Sequence, residues 1–408
     1  MNILWGLMGC FVILFIAFLL SENKKKINYR VVLGGTVLQI LFGYIVLKSE
    51  TGRIILEKIS KGIQSVIHYG NEGLSFVFGS LADASQPTGF IFGIRVACMA
   101  IFVTALISVL YHFGIMQLFV RIIGGGLHKL LGTSKVESLT AASNIFLGLQ
   151  EAPVIIKPYI RALTKSEIFA VMVGGLASVA GGILLAYAAL GIPINYLLSA
   201  SFMAAPAGLV FAKMMIPETE VPVAAANEGA KATEEKEEKP NIIDVIVKGA
   251  MEGLKMAGLI IAMLIAFISI LALLNGILGS IGEWFGMKDL SLQLILGYIF
   301  SPIAFIMGVP WSEAMIAGNL LGQKLILNEM VAFTAFQPLI ETLSPKTVAI
   351  VTFSLCGFAN LGSLGILIAS MTAFAENQRQ VVTKLALKAV LAGTLANLMS
   401  GTIAGMFM

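Results

Sequence analysis

Long apolar stretches alternate with short polar ones along nearly the whole chain. Residues 3–20, 31–47, about 89–111, 193–215, 257–278 and about 385–406 are each long enough to cross a bilayer as a helix. Two further apolar segments, 168–190 and 346–372, are broken by small and polar residues, in GGLASVAGG (174–182) and CGFANLGSLG (356–365). Two more, 139–163 and 307–337, carry an amide beside a carboxylate, Gln150-Glu151 and Asn328-Glu329. Irregular backbone inside hydrocarbon is tolerated only where protein or a watery cavity satisfies its polar groups. The pattern therefore predicts an all-α polytopic membrane protein with about eight transmembrane helices, two of them broken, plus two re-entrant hairpins.

The hairpin and the broken helix occur twice, in the same order. Glu151 precedes Ser178 by 27 residues, and Glu329 precedes Asn360 by 31. One extra apolar run, 257–278, lies between the copies, so the second copy enters the membrane from the opposite side. That is the inverted repeat of secondary transporters, with binding near the midplane.

Composition agrees with this picture. Of 408 residues 58% are hydrophobic and 12% charged, too few charges to cover a water-facing surface. The basic residues sit in loops, which is a topology signal and no nucleic-acid footprint. SENKKKINYR (21–30), the bases of 116–138 and ENQRQVVTK (376–384) all read as cytoplasmic, so both termini are expected outside. No basic n-region or small-residue cleavage site marks 3–20 as a signal peptide. Residues 51–70 have helical apolar spacing mixed with charges and suit an interfacial helix. Residues 218–241 read as a solvated linker, and 243–256 as a short amphipathic helix ahead of the 257–278 span. Gly124-Gly125-Gly126 lacks the ending of a phosphate loop and reads as a hinge or turn. Cys10, Cys98 and Cys356 lie in apolar segments without CxxC spacing and read as small buried hydrophobes.

The candidate chemistry lies in the interruptions. A carboxylate at mid-bilayer costs roughly 2.5 to 3.5 kcal/mol on insertion scales. Two such residues at matching places, each with an amide neighbour, point to a shared ligand. Pro153 suits the first turn of a new helix, which places Gln150 and Glu151 at exposed backbone donors. Glu, Asn, Gln and Ser converge without an arginine cluster, so the ligand is uncharged and rich in donors and acceptors. Sugar hydroxyls suit a carboxylate plus an amide, and a flat base suits Gln150 with Leu149 and Phe358. A buried ion pair of Glu151 or Glu329 with Lys157 or Lys324 is the competing reading. Glu313 reads as a charge at a helix N-terminus, and His68, His112 and His128 as structural.

NIFLGLQEAP (144–153), GGLASVAG (174–181), GVPWSEAMIAGNLLGQKLILNEMVAF (308–333) and CGFANLGSLGILI (356–368) resemble the concentrative nucleoside transporters, and the resemblance runs from about residue 90 to the end. It implies a homotrimer whose protomers have scaffold and transport domains, and nucleoside uptake driven by a sodium or proton gradient. By this resemblance 1–138 supplies scaffold and interfacial helices, 139–215 the first transport repeat, 216–242 a cytoplasmic linker, 243–298 a scaffold helix and 299–408 the second repeat. Leu149, Gln150 and Glu151 would face the nucleobase, Glu329, Asn360 and Ser363 the ribose, and Ile183 the ribose side. Asn144 and Ser178, with carbonyls of Leu147, Ser178 and Val179, would hold sodium, the coupling ion; no cofactor is implied. Back-bonding of Asn144 and Ser178 to helix carbonyls is the alternative. The chain reads GLQE (148–151) where the family commonly reads GQTE or GQSE, and Gly362 where serine is common. The first departure suggests a preference for purine nucleosides.

Three scattered histidines and the lack of HExxH or GxSxG leave an intramembrane enzyme unsupported. An uncoupled, gate-type membrane protein sharing the hairpins is the other alternative. The expected setting is the cell membrane, with lipid and nucleoside as partners.

Overall fold

The computed structural model describes residues 2–83, 91–157, 159–220, 241–287 and 290–408. All regular elements among them are helical. In chain order the α-helices are α1 (Asn2–Leu19), α2 (Tyr29–Leu47), α3 (Glu50–Phe78), α4 (Met99–His112), α5 (Ile115–Leu131), α6 (Lys135–Ser143) and α7 (Ala152–Ile155). They continue as α8 (Lys165–Ala177), α9 (Gly181–Ala189), α10 (Ile194–Met215), α11 (Ile242–Trp284), α12 (Leu292–Ile306) and α13 (Trp311–Ile326). The last four are α14 (Glu329–Phe336), α15 (Pro345–Leu355), α16 (Ser363–Thr372) and α17 (Arg379–Met406).

Among the described residues seven segments are long and apolar enough to cross a membrane, and the α8–α9 pair is one of them. The expected eighth crossing, 346–372, is split into two short apolar helices, α15 and α16. A further apolar pair, α12 and α13, folds back on itself with a bend of 117°.

The seven elements α4 to α10 recur in order as α11 to α17. Each set has a long lead helix, a packed helix pair, a short hairpin arm, a helix broken in two and a closing helix. The lead helices α4 and α11 run antiparallel: Gly249 meets Ala105 and Ser108, Gly253 meets Ala100 and Ile101, and Gly93 faces Ile261. Antiparallel lead helices are what an inverted repeat requires. Small residues in α11 let the two backbones approach, which drives helix association where lipid removes the hydrophobic gain.

The breaks have local causes. Capping boxes start α6 (Ser134 with Glu137) and α8 (Thr164 with Glu167), and Ser344 caps α15. Asn328 caps α14 through its Oδ1, which accepts from the Val331 N–H at 2.8 Å. At these ends side chains take up backbone donors that water would otherwise satisfy.

Three expectations change. Gly124, Gly125 and Gly126 form no turn; they lie inside α5. A Cβ at Gly124 would stand 3.1 Å from Leu139 Cα, so that glycine serves the close approach of α5 to α6. The 243–256 stretch and the 257–278 span are one continuous helix of 43 residues, because no cap or proline separates them. The 116–138 segment is largely helix α5 and the start of α6, with its bases on helix faces. The linker between 221 and 240, Pro158 and Lys288 lie outside the described residues. The 51–70 stretch belongs to α3, whose Ile54, Ile55 and Ile59 are exposed. All three cysteines are free, with Cys10 and Cys356 buried.

At one end of the bundle Glu22 bonds Lys165 at 2.7 Å and Lys388 at 3.2 Å. Burial alone would raise the Glu22 carboxyl, but these two lysines hold it below the usual carboxylate range. Nearby, Arg30 donates to the carbonyls of Lys129 and Leu130, and buried Lys213 pairs with Glu137 and Glu218. At the other end Asn2 Nδ2 donates to the Met408 carbonyl at 2.9 Å, so both chain ends lie on one side.

The antiparallel contact yields a packing prediction. A Cβ at Gly253 would lie 2.5 Å from Ile101 Cα, whereas one at Gly258 meets nothing within 4 Å. Gly253→Val should destabilise the purified protein by about 1–3 kcal/mol through overpacking. Gly258→Ala should be neutral or slightly stabilising, and thermal unfolding in detergent distinguishes the two.

Candidate functional site

Four half-helices, α7, α9, α14 and α16, begin around one cavity of about 410 Å3. Small-molecule sites usually fall between about 300 and 1,000 Å3. α9, α14 and α16 each bring the positive end of a helix dipole, a natural setting for carboxylates and hydroxyl oxygens. Leu149, Gln150, Glu151, Ile183, Glu329, Phe358, Asn360 and Ser363 all line this cavity.

On the first-repeat side, Glu151 turns back on its own loop and accepts a hydrogen bond from the Gly148 N–H. Gln150 is exposed to the cavity, while Leu149 is buried against Gly175. Lys157 does not pair with Glu151; its ammonium lies 6.0 Å from the centre of the Phe374 ring.

On the second-repeat side, Glu329 is 6% exposed and opens α14. Its Oε2 accepts from Asn360 Nδ2 at 2.8 Å. Asn360 Oδ1 in turn accepts from the Ser363 N–H at 2.8 Å and the Ser363 hydroxyl at 3.1 Å. A carboxylate, an amide and a hydroxyl are thus locked in one chain, with lone pairs and protons left for a polyhydroxyl ligand. Lys324 does not pair with Glu329 either: its ammonium donates to the Ser354 carbonyl at 2.9 Å and to Asn397 Oδ1 at 2.6 Å.

The sequence reading missed Tyr187. This fully buried side chain on α9 donates to Glu329 Oε1 at 3.1 Å, and its ring stands 4.4 Å from that of Phe333. It is a direct polar link between the two repeats. The available signal was a lone phenol in the apolar half of a broken helix. The wall formed by α11 was also missed. Glu252, Lys255, Met256 and Met263 face the cavity from that helix, and Thr104 from α4. Only the charges of Glu252 and Lys255 inside a helix pattern hinted at it. Asn328, read as the amide partner of Glu329, also reaches the cavity, with its Nδ2 buried and unbonded.

Beside the cavity, the C-terminal end of α6 meets that of α8. Asn144 is 1% exposed, and neither its Oδ1 nor its Nδ2 has a partner. Buried amides are normally satisfied, so such an orphan calls for a ligand. Ser178 caps α8, its hydroxyl donating to the Gly174 carbonyl at 2.9 Å. Leu147 lies in the turn that follows Asn144, and buried Val179 follows Ser178. The Phe146 carbonyl accepts from the Gly181 N–H at 2.9 Å, holding the hairpin tip against the break. This oxygen-rich setting fits a small monovalent cation. Among the described residues no group of three His, Cys, Asp or Glu could hold a metal.

Three family models match consecutive parts of the chain: Na+ dependent nucleoside transporter N-terminus at residues 8–81, Nucleoside recognition (Gate) at 93–193, and Na+ dependent nucleoside transporter C-terminus at 196–405. The nucleoside permease NupC of Helicobacter pylori is 47% identical, over 99% of this chain and 97% of its own. The chain belongs to the concentrative nucleoside transporter family. The transporter is also 53% identical to the uncharacterized transporter YutK of Bacillus subtilis, over the whole of both chains. Human solute carrier family 28 member 3 is 34% identical over 97% of this chain and 59% of its own. Among solved structures, CNTnw in an inward-facing substrate-bound state is 48% identical, with a TM-score of 0.95 over 100% of this transporter and 98% of that chain. The protein is therefore a multi-pass membrane nucleoside symporter and not an enzyme.

The Tyr187–Glu329–Asn360 chain predicts a shared loss of affinity. Tyr187→Phe and Glu329→Gln should each weaken binding of every nucleoside about tenfold or more, since a buried bond to a charged group contributes roughly 1.5–3 kcal/mol. Binding titrations with several nucleosides check this, and a loss confined to one base class would contradict the shared role.

Proposed function

We propose that the transporter carries nucleosides into the cell by sodium-coupled alternating access, with purine nucleosides preferred. The observation carrying the sodium reading is Asn144, buried with both side-chain polar atoms unbonded beside the break at Ser178. Sodium would take oxygens from Asn144, Ser178 and the carbonyls of Leu147, Ser178 and Val179, where the negative ends of two helices converge. Family membership and the Na+-dependent description of the matching models favour the same ion.

Substrate roles divide between the repeats. Leu149, Gln150 and Glu151 face the base, with Phe358 as an apolar neighbour. Glu329, Asn360 and Ser363 hold the ribose hydroxyls, and Ile183 lines the ribose side. Support comes from their common cavity and from the pre-bonded Glu329–Asn360–Ser363 chain. Leu149 stands where the family commonly has a polar base contact, leaving Gln150 to read the base edge; this is the basis for the purine preference. The hairpins and broken helices form the moving body, and α4 with α11 the fixed wall across the cavity.

The protein is a homotrimer of the cell membrane in this reading. The lipid- or partner-facing side of α11 exposes Ile265, Ile268 and Ile270, as a helix in an oligomer's scaffold would. Both termini are outside, which the shared position of Asn2 and Met408 supports together with the lysine-rich opposite end.

Proton coupling is the second reading. It is favoured by the Ser178 hydroxyl, which already has an acceptor in the Gly174 carbonyl.

Uptake of labelled uridine, adenosine and guanosine in a transport-deficient host, with and without sodium, tests both. Sodium-dependent uptake that Asn144→Leu abolishes is expected. Uptake that follows pH and ignores sodium would move coupling to protons. Leu149→Gln should shift the purine-to-pyrimidine ratio several-fold, as a gained or lost polar contact of about 1 kcal/mol would. An unchanged substrate profile would remove Leu149 from the base site.

A further inference from the structure

The second repeat contains its own cation. Lys324 is 2% exposed and lies near the C-terminal end of α13, deep among helices α15 and α17. An ammonium in such a place is expensive and is kept where it has a task. It makes no ion pair with a carboxylate among the described residues. It bonds instead to the Ser354 carbonyl near the C-terminal end of α15 and to Asn397 Oδ1 on α17. Asn397 passes the contact on. Its Nδ2 donates to the Cys356 carbonyl at 3.3 Å and to the Ala177 carbonyl at 2.6 Å, the last residue of α8.

The repeat makes this placement informative. The hairpin tips dock in the same way: the Phe146 carbonyl accepts from the Gly181 N–H at 2.9 Å, and the Leu325 carbonyl accepts from the Leu361 N–H at 3.0 Å. The closing helices dock in the same way too, with Gly208 of α10 against Gly174 and Gly401 of α17 against Ser354. Gly174 and Ser354 are therefore counterparts. In the first repeat the unbonded Asn144 amide lies against Gly174, while in the second the Lys324 ammonium lies against Ser354. Where one repeat presents an orphaned amide at a helix C-terminus, the other presents a fixed positive charge.

We propose that Lys324 is a tethered cation, taking in the second repeat the place that an exchangeable cation takes in the first. Each broken helix ends its first half in the membrane with unpaired carbonyls and a negative dipole end, and each needs positive charge there. The first half-helix of repeat one would receive it from solution. That of repeat two carries it on a side chain, so a single cation site is coupled to transport. Through Asn397 the ammonium also steadies the Ala177 carbonyl, the neighbour of Ser178, so the fixed charge braces the exchangeable site. This inference rests on the reading of Asn144 and Ser178 as a cation site, with the ion's identity left to experiment.

Two variants and one wild-type measurement test it in proteoliposomes. Lys324→Met removes the charge and keeps the volume. It should lower uptake at least about tenfold, with no recovery at high sodium, because buried acceptors lose their donor. Lys324→Asn removes the charge and opens space beside Ser354. Its uptake should recover as sodium rises, and its sodium dependence should turn from hyperbolic to sigmoidal. A Lys324→Met protein with wild-type uptake, or a Lys324→Asn curve of wild-type shape and midpoint, would overturn the proposal. Should both variants fail to fold, the charge moved per nucleoside by the wild-type protein decides: one positive charge supports the tethered cation, and two refute it. A wild-type protein that moves one proton and ignores sodium would sink the sodium reading while leaving Lys324 in its role.

Discussion

The structure depends on ending helices in the middle of a membrane. Each of the two broken helices, α8–α9 and α15–α16, strands carbonyls at one end and N–H groups at the other, where no bulk water reaches. The chain turns that liability into a division of labour. N-terminal ends of α7, α9, α14 and α16 surround a cavity to which the two hairpins bring the carboxylates Glu151 and Glu329 and α11 brings Glu252 and Lys255, suited to a ligand that donates hydroxyl protons. C-terminal ends of α6, α8 and α15 meet beside it around Asn144, Ser178, Ser354 and Lys324, suited to positive charge. In the proposed reading, substrate and cation would occupy opposite ends of the same breaks, a few residues apart, which is a physical basis for coupling them.

Close packing makes such breaks tolerable. Gly208 lies against Gly174, Gly401 against Ser354, and Gly249 and Gly253 against α4, so backbones approach without side chains between them. Asn397, Tyr187 and Asn360 then tie the halves with hydrogen bonds that cross between repeats or between a hairpin and a broken helix. A fully satisfied buried network holds one geometry, because any slip would leave a polar group unpaired.

The two repeats share a plan without being chemically equal. At the start of their hairpins, Glu137 reaches buried Lys213, whereas Glu313 takes the Ser344 N–H and hydroxyl. At the tips, Asn144 stands unbonded, whereas Lys324 is fully engaged. Divergence of this kind would let one copy serve an exchangeable ion, as proposed, while the other remains a permanent support.

The sequence by itself determined the apolar spans, both hairpins, both breaks and the cavity's Gln150, Glu151, Glu329, Asn360 and Ser363, while Ile183 came only from the family resemblance. Apart from Ile183, each is written in local pattern: a carboxylate beside an amide, or Gly and Ser interrupting an apolar run, is costly in lipid unless it lines a site. It also misplaced some features, and for local reasons. Gly124 to Gly126 look like a turn until α6 is known to press on them, and α11 looks like two elements because its amphipathic start and apolar middle differ in composition. Only the tertiary structure decided which distant groups complete the site. Tyr187 meets Glu329 across 142 positions, and Lys324 abandons the nearby Glu329 for Asn397, 73 positions away. No periodicity encodes such pairs, since a partner far along the chain is chosen by how the helices pack.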